Sequence, residues 1–278
     1  MNKARLATIL MFLICGISVS SWAPMVPLAK QHTGVNEKQL GLLLLAMGGG
    51  AIIAMPFAGR VIAKNGSRKV IIAGSIVVSL FLPLLTIANT PLQLGICLFI
   101  FGAAMGCLDV SMNSQAVVVE QDMGKPIMSS FHAMFSVGGL IGALTFGLLL
   151  MLVGSPFIAA CIISAVLLLI VFTHHKYFLP HKKQEGKHHT KFRFPKNSVL
   201  LLGAFCFFVF LIEGALLDWS ALFLKNYRGF SLSTAGIGYS VFSIAMALMR
   251  FTGDTLVHKF NPNKIVFWGS LLASAGLL

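Results

Sequence analysis

The sequence predicts an all-α membrane protein built from parallel six-helix repeats, with eight complete transmembrane helices and part of a ninth. Three observations carry this. Hydrophobic residues make up 57% of the 278 and charged ones only 10%. The apolar residues fall into long segments separated by short polar punctuation. A set of residues also recurs at a constant spacing across the one long polar stretch.

The composition excludes an ordinary soluble domain, which carries roughly 25% charged residues. A chain this apolar has too few polar groups to cover a water-facing surface, whereas a bilayer calls for spans of about 20 apolar residues. Cys15, Cys97, Cys107, Cys161 and Cys206 all lie in apolar runs and none forms a CxxC pair. They read as small buried hydrophobes, with no redox framework, cofactor or metal implied. Lys3 and Arg5 ahead of an apolar stretch imitate a signal peptide. The run is long, Pro24 follows the would-be cleavage site, and further spans come after. It is therefore expected to be a first transmembrane helix.

Complete spans are predicted over residues 6–27, 40–62, 70–88, 92–119, 128–153, 156–178, 199–224 and 232–257, with a last one opening near Ile265. With the N-terminus cytoplasmic, sixteen Lys and Arg residues fall on the inner side, from Lys3 to Lys264, and four (Lys30, Lys38, Lys225, Arg228) on the outer side. Arg250 is left within a span. The positive-inside rule thus places a multi-pass protein in the cell inner (plasma) membrane. The net charge of +13 is topological, and no nucleic-acid partner need be invoked. The loop 174–197 carries His174, His175, His181, His188 and His189 among many lysines, without a cysteine or carboxylate-rich cage. It reads as a solvated, lipid-facing linker.

Across that linker the chain repeats itself. Lys30, Gly34 and Gly41 return as Lys225, Gly229 and Gly236, offset by 195; Met55, Phe57 and Gly59 return as Met249, Phe251 and Gly253, offset by 194. Six spans separate the copies, so both start from the same side and are parallel repeats about an axis along the membrane normal. The organisation expected is residues 1–178 as a six-helix half, 179–197 as the linker and 198–278 as an incomplete second half. A complete second copy would need about 390 residues, so the sequence reads as C-terminally truncated.

The segment after the second span runs Gly59, Arg60, Val61, Ile62, Ala63, Lys64, Asn65, Gly66, Ser67, Arg68, Lys69. It resembles the loop signature of the major facilitator superfamily at every position except that family's Asp, which is Ala63 here. The second-half counterpart keeps Gly253, followed by Asp254, and is otherwise degenerate. Stretches around Asp109 to Gln115, Ser130 to Ser136 and Gly214 to Ser220 resemble the bacterial inner-membrane subgroup related to fucose permeases. The resemblance implies the major facilitator fold and secondary transport by alternating access. It also implies that the loop basics latch one conformational state by meeting helix C-termini or acids such as Glu120 and Asp122.

Ionisable groups within spans are costly and hence candidates for function. Gly102, Gly106, Asp109, Asn113 and Glu120 share one stripe of the fourth span; His132 and Ser136 share one of the fifth. Asp109 and His132 lie at similar depth, where they can pair or share a cavity. An acid in a low-dielectric cavity can take and release protons. Asp109 is accordingly read as a proton-coupling or substrate-binding acid beside Asn113 and His132, against the alternative of a structural network. Glu213 is read as a second cavity acid near the midplane. Asp218 and Trp219 are expected at the outer interface. Trp22, with Ser18 and Ser21, either lines an outer vestibule or anchors the first span, and Trp22 and Trp219 join the candidate solute contacts. Arg250 and Asp254, four apart, are expected to pair along one helix.

The function read from the sequence is proton-coupled symport of a small polar solute, a sugar or related metabolite, by a monomer. A drug or metabolite exporter of the same fold and a non-functional remnant are the alternatives. No phosphate-binding loop, HExxH or paired-Asp motif argues for an ATPase or an enzyme. On this reading, Asp109→Asn in the intact protein changes both solute uptake and its pH dependence; uptake measured across a pH series in cells checks it.

Overall fold

The computed structural model describes residues 3–124, 127–180 and 197–277; the side chains at 253–255, 257, 258, 262 and 277 are outside the description, as is the linker 181–196. Among the described residues the order is α1 (Lys3–Ser20), α2 (Val26–Thr33), α3 (Glu37–Asn65), α4 (Ser67–Ile87), α5 (Pro91–Met123), α6 (Met128–Val153), α7 (Pro156–His174), α8 (Asn197–Arg228), α9 (Ile237–Lys259) and α10 (Pro262–Leu277). Seven helices are long and apolar enough to cross a bilayer, counting Lys3–Thr33 as one. The eighth predicted span is α9, whose apolar part is Ile237–Thr252, and α10 is the ninth.

The first span departs from a single helix over 6–27. α1 stops at Ser20, a 3₁₀ turn covers Ala23–Met25, and α2 carries the chain on to Thr33. Pro24 and Pro27 are the cause, since neither has an N–H for an α-helical bond. The turn keeps its backbone satisfied through Met25 N–H to Trp22 O at 2.8 Å and Val26 N–H to Trp22 O at 3.1 Å. The predicted start of the eighth span also moves, because 232–236 form turns ahead of α9.

Several helix starts follow local sequence chemistry. Asn36 and Gln39 form a reciprocal capping box on α3, at 2.9 and 3.0 Å. Thr90 caps α5 ahead of Pro91, and Ser155 caps α7 ahead of Pro156. Glu120, at the far end of α5, takes the Ile127 and Met128 N–H groups at 2.8 and 2.9 Å and so holds the start of α6. The repeat has a backbone counterpart: Gly34 and Gly229, one offset apart, both hold positive φ (65° and 71°) at helix ends.

Packing is decided by glycines that let backbones touch. A Cβ at Gly16 would collide with the Phe135 carbonyl of α6, and one at Gly138 with the Leu13 carbonyl of α1. Gly142 of α6 likewise abuts Ile17 and Ser20. On another face of α6, Gly139 lies against Ser243 of α9, and Gly147 against the Ser233 carbonyl. Gly102 and Gly106 of α5 bed onto Met47 and Ala51 of α3, with Gly50 against Phe99 in return. Gly50, Gly138, Gly139, Gly142 and Gly147 are thus packing positions, whereas a Cβ at Gly48 or Gly49 would meet nothing within 4 Å. The outer surface of the bundle is apolar, with Leu42, Ile52, Leu148 and Leu169 exposed, as a lipid-facing surface requires.

These contacts fix a paired outcome. Gly138→Ala must push α1 and α6 apart and should lower stability by about 1–3 kcal/mol. Gly48→Ala meets nothing and adds helix propensity, so it should be neutral or stabilising by up to ~1 kcal/mol. Melting temperatures of the purified variants in one detergent check both.

Candidate functional site

Arg250 of α9 is a cation set within a predicted span, and among the described residues the fold brings α6 and α8 to it. Its Nη1 donates to Ser136 Oγ at 2.7 Å and to the His132 carbonyl at 3.2 Å. Its Nη2 stands 4.0 Å from Glu213 Oε2, with both side chains about four-fifths buried, at 25% and 18% exposure. Its guanidinium also lies over the Phe135 ring, 6.0 Å from the centroid. One planar donor fork thus ties three helices together. The close approach of α9 to α6 at Gly139 makes this reach possible.

Arg250 was expected to pair with Asp254 along its own helix. The side chains of Gly253 and Asp254 lie outside the described residues, and among those described the packing supplies Glu213, Ser136 and His132. Glu213 is where the sequence puts it, within α8. Ser136 and Arg250 are the members that sequence reasoning assigned no solute-facing role; the only signal for Arg250 was its position inside a span.

Asp109 and His132 are not joined. Asp109 Oδ1 accepts from Asn113 Nδ2 at 3.1 Å, one turn along α5. The His132 ring instead sits edge-on to Phe12 of α1, at 5.2 Å. The reason is packing: α1 lies against both α5 and α6, which scarcely meet each other. The glycine stripe also changes use along α5. Gly102 and Gly106 are buried on α3, whereas Asp109, further along the same stripe, is exposed. A charged side chain exposed within a span needs an aqueous or protein surface beside it, not lipid tails.

At the end of the bundle that carries Lys30 and Lys225, the first span closes against α8. Trp22 is wholly buried, and its Nε1 donates to Asp218 Oδ1 at 3.1 Å. Lys225 Nζ reaches Gln31 Oε1 at 3.5 Å, and the Trp219 ring lies 3.8 Å from where a Cβ on Gly41 would be. Asp218 accepts the Trp22 indole proton. Of the two readings of Trp22, its burial favours the anchor of the first span over a vestibule lining. Ser18 and Ser21 spend their hydroxyls on the Ile14 and Ile17 carbonyls, at 2.8 and 2.7 Å. Trp219 is half-buried and borders a cavity of about 370 Å³ with Glu37 and Tyr227, apart from the Arg250 cluster.

The loop signature also differs from expectation. Gly66 turns the chain between α3 and α4 at φ 81°, a conformation only glycine adopts readily. Arg60 stands over Phe57 at 5.6 Å. Lys64, Arg68 and Lys69 are exposed, and the ion pairs among the described residues, Lys30 with Glu37 and Arg250 with Glu213, include none of them. Glu120, the proposed acid partner, is committed to α6. What ties the loop to α5 is Ser67 Oγ donating to Gln115 Oε1 at 2.7 Å.

Comparison with known proteins agrees with this architecture. The chain is 44% identical over 276 residues to an uncharacterized MFS-type transporter of Yersinia pestis, covering 99% of the chain and 71% of the relative. It is 33% identical over 273 residues to an uncharacterized transporter of Sinorhizobium fredii, covering 96% and 71%. The crystal structure of the nucleoside transporter NupG superposes with a TM-score of 0.60 at 18% identity, over 97% of this chain and 69% of that one. The Major Facilitator Superfamily profile matches residues 8–278. A multi-pass helical chain with this repeat, these relatives and this fold belongs to the Major Facilitator Superfamily of membrane transporters.

Proposed function

We propose that the chain performs secondary active transport of a small polar solute, a sugar or related metabolite, coupled to protons. The observation that carries the reading is the largely buried ion pair of Arg250 with Glu213, extended by Ser136 and His132. Placing two charges within a membrane span is expensive, and the cost is tolerated where the groups serve a permeation pathway. The cluster offers a forked donor, a carboxylate acceptor and a hydroxyl, the complement of a polyhydroxylated or carboxylated solute. Its members come from α6 on one side of the linker and α8 and α9 on the other, so a solute bound here touches both halves of the expected two-half organisation.

Coupling follows from the same pair. A proton on Glu213 cancels its charge and frees Arg250 to engage a solute; loss of that proton restores the ion pair and expels the competitor. Asp109, exposed within α5 and held by Asn113, is the second acid on the route. The contacts from Trp22 to Asp218 and from Lys225 to Gln31 close the pathway at one end, leaving entry from the end that bears Lys3, Arg68 and Lys176. By the distribution of Lys and Arg that end is cytoplasmic, in an inner-membrane protein that acts as a monomer.

Two outcomes follow. In proteoliposomes with an inward proton gradient, a panel of radiolabelled sugars and sugar acids should include a substrate that accumulates, and collapse of the gradient should abolish the accumulation. Arg250→Gln and Glu213→Gln should each lower uptake at least ~100-fold, because each strands a buried charge or its polar partners, with Arg250→Lys intermediate. Accumulation indifferent to the gradient would remove proton coupling from the reading. Separately, Trp22→Phe deletes the indole donor and should weaken closure by about 1–3 kcal/mol. Faster labelling of a cysteine placed at Ala29, buried at the same end, by a membrane-impermeant maleimide reads it out.

A further inference from the structure

A polar cavity lies apart from the Arg250 cluster, at the end of the bundle where α3 turns into α4 beside the end of α7. Its volume is about 500 Å³, and among the described residues Lys64, Arg68, Lys69 and Lys176 line it without a carboxylate. Its remaining wall includes the buried Phe178 and the partly buried Leu179. Lys3 adds to the charge nearby, since the Lys3 and Lys176 ammonium groups stand 5.4 and 5.2 Å from the Tyr177 ring centroid. Four cations around one cavity repel each other, and an anion between them relieves that repulsion.

The polar groups around the cavity are donors as well. Gly66 to Lys69 form part of its wall and also open α4, whose first turn has neither an acidic residue nor a side-chain cap. Behind Ser67, Gln115 is 1% exposed; its Oε1 accepts the Ser67 hydroxyl, and its Nε2 donor has no partner. The Arg68 fork, the lysine ammonium groups and the backbone N–H groups of α4's first turn together match a tetrahedral oxyanion. The apolar wall of Phe178 and Leu179 stands where the helices leave the bilayer, which suits a phosphate carried on acyl chains.

We propose that this cavity is a phosphate-anion site occupied by the headgroup of an anionic phospholipid, clamping the α3–α4 turn to the end of α7. The inference does not rest on the Arg250 cluster, which none of these residues touches. It also gives Ala63, which lines the same cavity, a specific meaning. A small neutral residue there leaves the cations open to an outside anion, where an acid would neutralise them from within.

The test uses the full chain, purified and delipidated in detergent, with melting temperature followed during titration by short-chain phosphatidylglycerol, phosphatidylcholine or inorganic phosphate. Phosphatidylglycerol should stabilise at concentrations where phosphatidylcholine does not. The triple variant Lys64→Gln, Arg68→Gln, Lys69→Gln should weaken that binding roughly fivefold per cation removed. Ala63→Asp alone should also weaken it, which guards against misfolding of the triple variant. Lys259→Gln with Lys264→Gln, exposed at the same end, should bind as the parent does. If inorganic phosphate stabilises equally well and the variants abolish it, the phosphate site stands and the lipid source is overturned. Equal stabilisation by both lipids, no response to any anion, or equal loss in the Lys259 and Lys264 variant overturns the proposal.

Discussion

The close contact of α6 with two neighbours is the constraint on which the rest of the structure depends. Gly138 and Gly142 seat α1 on one face, while on another Gly139 admits the Ser243 side chain of α9 and Gly147 the Ser233 carbonyl just ahead of it. Inside a bilayer no hydrophobic force drives helices together, so close van der Waals approach has to supply the cohesion. Glycine gives that approach by removing the side chain that would hold the axes apart. Once α9 is drawn onto α6, Arg250 falls within reach of Ser136 and the His132 carbonyl, and Glu213 of α8 completes the set. The polar centre is thus a product of an apolar fit.

Much of the fold was legible in the sequence because a membrane enforces simple rules. Span length and the scarcity of charge located the helices, and the ends of α6 were read without error. The constant offset of the repeat anticipated that Gly34 and Gly229 occupy matching backbone conformations. The break at Pro24 and Pro27 was less visible, since the apolar pattern runs on through it while the backbone hydrogen bonds do not.

The site was legible only in part, for a reason that Arg250 makes plain. Spacing along one helix points only to partners three or four residues away, such as Asp254. Glu213, which Arg250 also faces, is 37 positions distant in sequence (250 − 213 = 37) and is chosen by which helices lie side by side. Asp109 and His132 show the converse case. Equal depth suggested a pair, yet depth says nothing about the helix between them, and α1 takes that place. Glu120 looked like a counter-ion for the loop basics, but two unsatisfied N–H groups at the start of α6 were nearer.

The burial of Trp22 has a consequence for how the molecule can be watched. Of the three tryptophans, Trp268 is 63% exposed, Trp219 is half-buried, and Trp22 has no exposed surface at all. An indole in a dry, fixed surrounding emits at shorter wavelength than one in contact with water. Opening the bundle at this end would wet Trp22, the one of the three with no exposed surface to begin with, and shift its emission towards the red. The chain therefore carries an intrinsic optical reporter at the seam between its first and seventh spans, readable without any attached dye.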